Sequence, residues 1–314
     1  MIRPTYFGFN PETASSNAFQ KDTDLDPAEV RAKAIEEWEG LAAALEAHGI
    51  EVIQFDDTPE PHTPDACFPN NWISCHADGT IVLYPMMPAN RRMEYRQDIV
   101  DYLRTLETYK GGRILDLRHH AEEGRFLEGT GSLVLDRTTR TAYAALSART
   151  HLSVAEEWAR EMDYELVAFH AQDVFGAEVY HTNVMMSVGE GFVLACLESL
   201  ACPDERARVE GAFGAAGLEV ISFKHEQLGS FVGNSLQLKT LSGGLLTVSS
   251  SAGYEALNLD QRRSLEELGG HLRCDLSTIE FVGGGSARCG LCEIPTHKDL
   301  PAGTLHPRKL IGTP

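Results

Sequence analysis

Residues 181–223 read HTNVMMSVGEGFVLACLESLACPDERARVEGAFGAAGLEVISF and contain one complete structural unit of the chain. Two short apolar runs, 184–188 and 192–196, flank a Gly-Glu-Gly turn and predict a β-hairpin. A helix is predicted to begin at Pro203, since proline is favoured at the first helical position, and to end at Gly217. The apolar residues after Gly217 predict one more strand, so the unit is hairpin, helix, strand.

The same unit recurs along the chain. Further hairpins are predicted at 72–84, 132–146 and 235–249, helices after them at 93–106, 154–162 and 259–268, and closing strands at 114–117, 165–169 and 277–282. A helix beginning at Pro27 and a strand at 50–55 precede the first full unit, and Tyr6 and Phe7 are expected to supply a strand that closes a ring with the last unit. Repeats of this length are typical of propellers and solenoids, so we predict one α/β domain over residues 1–314, a closed ring of about five units.

A compact polar motif opens each unit. The motifs are 68–71 (Phe-Pro-Asn-Asn), 128–131 (Glu-Gly-Thr-Gly), 181–183 (His-Thr-Asn), 233–234 (Gly-Asn) and 288–289 (Arg-Cys). Glu128, His181, Asn234 and Cys289 follow Asn71 at successive intervals of 57, 53, 53 and 55 residues. If the units pack around an axis, these positions converge on one cavity. A thiol, an imidazole and a carboxylate placed in this way can supply a nucleophile, its general acid/base and the group that orients the imidazole.

Cys289 is the candidate nucleophile. The segment 281–295, FVGGGSARCGLCEIP, presents it from a glycine-rich turn onto a predicted strand. Cys292 completes a C-x-x-C motif, which can be half a zinc site or a redox pair, and a buried core cysteine is a further alternative. Zinc needs four ligands, and the sequence has no second C-x-x-C, C-x-x-H or H-x-x-x-H. A redox pair normally opens a helix, which Pro295 would interrupt.

Glu128 lies beside Phe126, Leu127 and a predicted apolar strand, where a carboxylate without a function would be costly. Most other histidines lie in polar or charged stretches. We predict a surface position for His119, His120, His151 and His271.

The charge balance limits the classes of partner. Twenty-seven basic and 46 acidic residues give a net charge of −19, which argues against binding nucleic acid or an anionic membrane by long-range attraction. No apolar run approaches the ~20 residues of a membrane helix, and the N-terminus does not begin like a secretory signal, so we expect a cytoplasmic protein. Seven unevenly spaced cysteines fit reduced thiols. The expected partner is a small-molecule substrate, and the sequence leaves open whether the chain forms a homo-oligomer.

The chain resembles the guanidine-modifying superfamily, the penteins, which includes arginine deiminases, dimethylarginine dimethylaminohydrolases and amidinotransferases. Residues 64–71 are similar to the family's PDxxFxxD motif, 128–130 to its EGG or EGT, 181–183 to its HxD and 284–289 to its GG…RC ending. The resemblance covers nearly the whole chain, and the motif set most resembles the branch described as citrulline-utilization hydrolases. It implies a five-bladed α/β propeller, Cys289 as nucleophile, His181 as general acid/base, Glu128 as its carboxylate partner, and no metal or organic cofactor.

Two positions depart from the arginine-processing members, whose acidic residues for the guanidinium correspond to Asn71 and Asn183. A carboxylate only accepts hydrogen bonds, whereas asparagine also donates, and a neutral ureido group presents a C=O as well as N–H groups. Replacing two buried anions also removes charge that would offset the desolvation of a guanidinium. These changes favour citrulline, although Asp65 is retained. The predicted substrate-binding residues are Asp65, Phe68, Asn71, Arg91, Asn183, Asn234 and Arg288.

The hypothesis is that Cys289 attacks the ureido carbon of citrulline, that ammonia leaves after protonation by His181, and that water releases a carbamate, which yields ornithine and carbon dioxide. The alternative is a guanidine hydrolase acting on arginine or a substituted arginine, with Asp65 as its main anion. In an amidinotransferase an amine would replace the water. Some propellers of this kind are non-catalytic ribosome-binding proteins, but the presence of both cysteine and histidine argues against that class. A thiol-redox protein using Cys289 and Cys292 would leave His181 and Glu128 unexplained.

Overall fold

The computed structural model describes residues 1–299 of the chain. In chain order its strands and α-helices are β1 (Ile2–Arg3), α1 (Pro27–Ala47), β2 (Phe55–Asp56), β3 (Ile73–Cys75), β4 (Ile81–Leu83), α2 (Gln97–Leu103), β5 (Ile114–Asp116), α3 (Gly129–Ser132), β6 (Val134–Asp136), β7 (Thr141–Leu146), α4 (Leu152–Met162), β8 (Glu165–His170), α5 (Thr182–Met185), β9 (Met186–Gly189), β10 (Phe192–Ala195), α6 (Pro203–Ala215), β11 (Glu219–Ser222), α7 (His225–Leu228), β12 (Leu236–Lys239), β13 (Leu245–Ser250), α8 (Ser251–Ala256), α9 (Leu259–Glu267) and β14 (Gly270–Cys274).

The strands form four three-stranded sheets and one two-stranded sheet within residues 1–299. In the unit that spans residues 181–223, β9 and β10 are an antiparallel hairpin, and β11 joins β10 in parallel after helix α6. The strands β3–β5, β6–β8 and β12–β14 pair in the same order. β1 and β2 pair in parallel as a separate sheet. The predicted repeat of hairpin, helix and strand is confirmed in these four units, and the fold is α/β.

The strand predicted at 277–282 is wrong. The last unit closes with β14, and Ile279–Gly283 form a π-helical turn instead. The Glu37 carboxylate on α1 accepts hydrogen bonds from the backbone N–H groups of Thr278 (2.7 Å) and Ile279 (3.0 Å) and so satisfies donors at the start of this turn. Because Glu37 lies 241 residues before Thr278, the local sequence pattern does not reveal the cap.

The N-terminal strands also differ from the prediction. β1 precedes Tyr6 and Phe7 and pairs with β2 rather than with the last unit, and the strand predicted at 50–55 is reduced to the short β2. Phe7 is buried in the core instead, against Gly283. A Cβ at Gly283 would lie 2.9 Å from Phe7 Cε2, so the core at this point accommodates the aromatic ring only because position 283 is glycine.

Helix α1 positions the segment that carries the candidate nucleophile. Its N-cap residue is Asp26, whose side chain accepts a hydrogen bond of 2.7 Å from Ala28 N. Trp38, on its buried face, has no exposed surface and lies directly against Gly290. A Cβ at Gly290 would be 2.1 Å from Trp38 Cη2, which is far inside van der Waals contact. The residue after Cys289 must therefore be glycine for this packing to form.

None of the helices in residues 1–299 combines the length and the apolar content needed to cross a membrane. α1 is 21 residues long, but charged residues occur along its whole length.

Candidate active site

Cys289 lies in a helix-like turn rather than on the predicted strand. Backbone hydrogen bonds from Gly290 N to Ser286 O (3.3 Å) and from Leu291 N to Arg288 O (3.3 Å) close this turn. The thiol is 5% exposed, and its sulfur accepts hydrogen bonds from the side-chain amides of Asn234 (3.2 Å) and Asn183 (3.6 Å).

Asn234 also fixes the turn itself. Its Oδ1 accepts from the backbone N–H of Arg288 at 3.0 Å and of Cys289 at 3.4 Å. Its Nδ2 donates to Asn183 O at 3.2 Å as well as to the thiol. One side chain therefore connects the backbone of the nucleophile, its sulfur and the segment that begins with His181, which is more than the ordinary turn chemistry of a Gly-Asn pair.

His181 and Glu128 form a buried pair. His181 Nε2 lies 2.8 Å from Glu128 Oε2, and neither side chain is more than 3% exposed. Burial lowers the pKa of His181 to about 4, although the adjacent Glu128 opposes this shift. The imidazole is therefore neutral at pH 7 and can accept a proton.

Arg149 is the second partner of Glu128, and our sequence analysis did not identify it. Its Nη1 lies 3.3 Å from Glu128 Oε2, while Glu128 Oε1 accepts from Met87 N at 2.9 Å. Burial alone would raise the pKa of Glu128, but Arg149 and then His181 outweigh it and hold the pKa well below its usual range. Arg149 follows β7 within Ser-Ala-Arg-Thr, and none of the motifs used above includes it.

Three buried polar atoms on the predicted substrate side have no hydrogen-bond partner among residues 1–299: Asp65 Oδ1, Asn71 Nδ2 and Asn183 Oδ1. The opposite atoms of the same side chains are engaged. Asp65 Oδ2 accepts from Asn10 Nδ2 at 2.7 Å, and Asn71 Oδ1 accepts from Arg91 Nη1 at 2.9 Å. The bond from Arg91, which can only donate, assigns the free atom of Asn71 as a donor. Asp65 and Asn71 line the cavity that Cys289 also lines, so a ligand in this cavity can pair with their free atoms.

Arg91 reaches the same cavity but is already paired. Its guanidinium contacts both oxygens of Glu94, at 2.7 and 2.9 Å, and its Nε lies 3.8 Å from Asp65 Oδ2. Burial raises the pKa of Glu94 to about 7, with Arg91 opposing the shift. Burial likewise raises the pKa of Asp65 in spite of Arg91. Burial therefore favours the neutral form of both carboxyl groups, and the nearby Arg91 guanidinium favours their charged form.

Arg288 adjoins Cys289 in sequence, yet its guanidinium lies elsewhere. It donates to Leu291 O at 2.8 Å and to Glu293 Oε2 at 3.0 Å. Its predicted contact with substrate stays a prediction. Phe68, by contrast, lines the cavity, with its ring against Gly283 and Gly285.

Several of these side chains line one cavity, whereas Glu128, Asn183 and Asn234 are not among its lining residues. Its lining residues are Thr13, Asn17, Asp65, Phe68, Asn71, Arg91, Arg149, Tyr180, His181, Gly283, Gly284, Gly285 and Cys289. Sequence reasoning did not anticipate Tyr180 or the N-terminal pair Thr13 and Asn17. Asn17 Nδ2 donates to Gly284 O at 3.2 Å, and Tyr180 OH donates to the same oxygen at 2.9 Å. The N-terminal segment therefore covers the glycine-rich turn before the nucleophile.

Apart from this cavity, the described part of the chain contains one group of side chains that could ligate a metal ion. Ligand atoms of His119, His120 and Glu157 lie within 4.8 Å of one another, and His120 Nε2 is 2.9 Å from Glu157 Oε2. His119 is exposed as predicted, but His120 is 4% exposed, so its predicted surface position is wrong. The burial follows from its bond to Glu157 on α4, which the local sequence does not reveal. None of these three residues lines the cavity described above.

The family model described as N,N dimethylarginine dimethylhydrolase, eukaryotic, matches residues 3–296. A search of curated proteins finds no significant match. Among solved structures, the product-bound N-terminal domain of ArgZ, an arginine dihydrolase from the ornithine–ammonia cycle in cyanobacteria, has a TM-score of 0.70 at 17% identity, covering 96% of this chain and 98% of that domain.

Two more solved structures share the fold. AgrE in a ternary complex with ornithine and NAD+ has a TM-score of 0.71 at 19% identity, over 95% of this chain but only 39% of AgrE. A dimethylarginine dimethylaminohydrolase adduct with 4-chloro-2-hydroxymethylpyridine has a TM-score of 0.60 at 16% identity, over 82% of this chain and 90% of that one. With the match to nearly all of residues 1–299, the chain belongs to the N,N-dimethylarginine dimethylhydrolase family, a family of hydrolases of C–N bonds in amidino groups within the pentein superfamily.

Proposed function

We propose that this protein hydrolyses arginine in two successive steps at Cys289, first to citrulline and then to ornithine, with release of two molecules of ammonia and one of carbon dioxide. The observation that carries the proposal is the mixed character of the free buried atoms around the nucleophile. Asp65 Oδ1 and Asn183 Oδ1 are acceptors, and Asn71 Nδ2 is a donor.

The two acceptors suit a guanidinium, which offers only N–H groups. The charge of Asp65 offsets part of the desolvation of that cation. The donor on Asn71 suits the ureido oxygen that replaces one guanidino nitrogen after the first hydrolysis. An aspartate at position 71 would instead repel this oxygen. Citrulline, favoured by the sequence alone, is on this account the substrate of the second step.

In the first step the Cys289 sulfur attacks the guanidinium carbon and His181 receives the thiol proton. His181 then gives this proton to the departing nitrogen, ammonia leaves, and a thiouronium remains on Cys289. Water, deprotonated by His181, attacks that carbon, and the thiol returns with citrulline. The second step repeats this sequence on the ureido carbon. Its thiocarbamate is hydrolysed to a carbamate, which loses carbon dioxide to give ornithine.

A second candidate substrate is an N-methylated arginine, favoured by the family match over residues 3–296. The first departing group would then be a methylamine instead of ammonia. The fold similarity to ArgZ, an arginine dihydrolase, supports the first candidate.

Product analysis tests the proposal. The purified protein is incubated separately with arginine, citrulline and asymmetric dimethylarginine, and ornithine, citrulline, ammonia and dimethylamine are quantified. We expect ornithine from both arginine and citrulline, two ammonia per ornithine from arginine, and no product with Cys289→Ser. Asn71→Asp should stop at citrulline. Accumulation of citrulline as the only product of the unmodified protein, or turnover of dimethylarginine alone, would refute the two-step reaction.

We also infer that the five small sheets are the blades of a pseudo-symmetric α/β propeller that forms one domain. The convergence of Glu128, His181, Asn234 and Cys289, each near the opening of a successive unit, supports this arrangement. Limited proteolysis tests the single domain: fragments that remain folded and separate on a sizing column would contradict it.

A further inference from the structure

The C-x-x-C motif of the sequence is not a pair in the folded chain. The Cys289 sulfur accepts from Asn183 and Asn234, whereas the thiol of Cys292 lies against β3 and lines the same cavity as Cys75, the last residue of that strand. Cys75 is fully buried and Cys292 half-buried. We propose that Cys75 and Cys292 are a redox-active dithiol, which a hydroperoxide oxidises to a reversible disulfide.

The two thiols share one site with a defined shape. Both line one apolar cavity, together with side chains such as Trp72 and Leu103. Cys292 Sγ also lies 3.7 Å from Ile73 O and 3.8 Å from Glu293 O. Since Ile73 and Cys75 belong to the same strand, Cys292 is held against β3 before any bond forms.

The pair is also chemically asymmetric. The hydrogen bond from Cys75 outweighs burial and lowers the pKa of Cys292, with Arg288 among the smaller contributions. The same pairing, together with burial, raises the pKa of Cys75. Cys292 is thus the more acidic thiol and the less buried residue of the two, which favours it as the cysteine that reacts with peroxide, and Cys75 is the thiol that resolves it.

The reaction balances with a hydroperoxide as the two-electron oxidant. The Cys292 thiolate attacks one peroxide oxygen, the O–O bond breaks, and protonation of the departing oxygen gives water or an alcohol. Cys292 becomes a sulfenic acid. The Cys75 sulfur then attacks the Cys292 sulfur, the S–O bond breaks, and the hydroxyl leaves with the Cys75 proton as water. The new S–S bond links β3 to the nucleophile turn.

This link acts on the candidate active site through a short path. A disulfide requires the two sulfurs to be about 2.0 Å apart, so its formation draws Cys292 toward β3. The preceding residue, Leu291, is bonded to Arg288 through both its N–H and its C=O. Arg288 N in turn donates to Asn234 Oδ1, and Asn234 contacts the Cys289 sulfur.

The test uses a Cys202→Ser, Cys289→Ser background, which removes the exposed thiol and the nucleophile. The protein is treated with hydrogen peroxide, alkylated and digested with trypsin. Cleavage leaves Cys75 in peptide 34–91 and Cys292 in peptide 289–298. We expect most chains to carry these peptides cross-linked, with fragment ions that place the bond at Cys75 rather than Cys67, and reversal by dithiothreitol. Because mass reports the bond, this test is independent of the proposed activity.

Two variants complete the test. In Cys75→Ser we expect a Cys292 sulfenic acid that dimedone traps, and in Cys292→Ala we expect Cys75 to stay reduced. Cys196→Ser is the matched control, since it removes another fully buried cysteine and should leave the crosslink intact. A Cys289–Cys292 bond in the chain that retains Cys289, or a Cys292 that proceeds to sulfinic acid while Cys75 stays reduced in folded protein, would overturn the proposal.

Discussion

Glu128 Oε2 lies 2.8 Å from His181 Nε2, so the carboxylate fixes the imidazole proton on Nε2 and leaves Nδ1 as the proton acceptor. Gly131 lies beside this second nitrogen, and a Cβ at position 131 would be 2.8 Å from His181 Nδ1. The glycine of the Glu-Gly-Thr-Gly motif therefore keeps the basic side of the ring accessible. The motif combines two functions: its first residue orients the imidazole, and its last leaves room for what the imidazole acts on.

Acid should destabilise the protein through His181. Burial lowers the pKa of this group to about 4, below the 6.5 of an unperturbed histidine. The unfolded chain therefore binds this proton first. The stability that the neutral ring contributes is fully present above pH 6.5 and is lost as the pH falls toward 4, a change of about 3 kcal/mol.

Urea unfolding across this pH window measures the effect. His181→Gln, which places a neutral amide at this position, should lose less stability than the unmodified protein as the pH falls. If both proteins lost the same stability over this pH range, groups other than His181 would cause the effect.

Arg149→Met should destabilise the protein because it leaves Glu128 as a buried charge with only His181 beside it. Removing one partner of a buried ion pair costs about 3–5 kcal/mol. The double variant Arg149→Met, Glu128→Gln should recover part of this loss, because the uncompensated anion is then gone. It should not recover activity, since a neutral amide does not stabilise the protonated ring.

Chemical denaturation of the single and double variants provides the coupling energy. A double variant less stable than Arg149→Met alone would show that Arg149 acts through packing on Tyr180, whose ring centroid lies 5.0 Å from its guanidinium, and not through Glu128.

Asn234→Asp should slow alkylation of Cys289. The substitution exchanges a donor 3.2 Å from the sulfur for an anion, which repels the thiolate that alkylation requires. It also retains the oxygen that accepts from Arg288 N, so the backbone of the turn is preserved. We expect at least a tenfold lower rate with iodoacetamide at neutral pH, a loss of about 1.4 kcal/mol. Asn183→Asp, at the longer distance of 3.6 Å, should have a smaller effect. Equal rates in the unmodified protein and Asn234→Asp would show that the amide does not influence the thiol.

The repeated unit could be predicted from sequence because its signals are local. Hairpin turns, a proline or a cap at a helix start and apolar runs all lie within a few residues of the element they define. Three of the sheets form as predicted, and the fourth has its predicted hairpin but a different closing strand. The strand predicted at 277–282 failed because its outcome depends on Glu37, on a distant helix. The closing strand predicted at Tyr6 and Phe7 failed for a related reason, since Phe7 is drawn into the core beside Gly283.

The residues of the candidate site likewise differ in whether the sequence carries a signal for them. The repeat identifies four candidate residues, because they occupy equivalent positions in successive units: Glu128, His181, Asn234 and Cys289. Arg149 has no equivalent position, and Thr13 and Asn17 precede the first unit, so periodicity could not identify them. Adjacency in sequence does not determine where a long side chain extends: Arg288 is next to Cys289, but its guanidinium donates to Glu293. The sequence places residues along a strand or turn, whereas the direction of a long side chain depends on charges brought near it by folding.

Gly290→Ala should destabilise the protein and slow catalysis together. The added Cβ would lie 2.1 Å from Trp38 Cη2, and Trp38 is fully buried on α1, so the ring or the turn must move. Overpacking of this kind costs about 1–3 kcal/mol. Movement of the turn would also disturb the hydrogen bonds that Asn234 Oδ1 accepts from the backbone N–H groups of Arg288 and Cys289. Gly211→Ala is the matched control, because Gly211 lies within α6 with open space around it, and alanine there should stabilise the helix by up to about 1 kcal/mol. Thermal unfolding and turnover are measured for both.

If Gly290→Ala were as stable and as active as Gly211→Ala, the contact with Trp38 would not position the nucleophile. If it lost stability but kept full turnover, the contact would serve the fold alone.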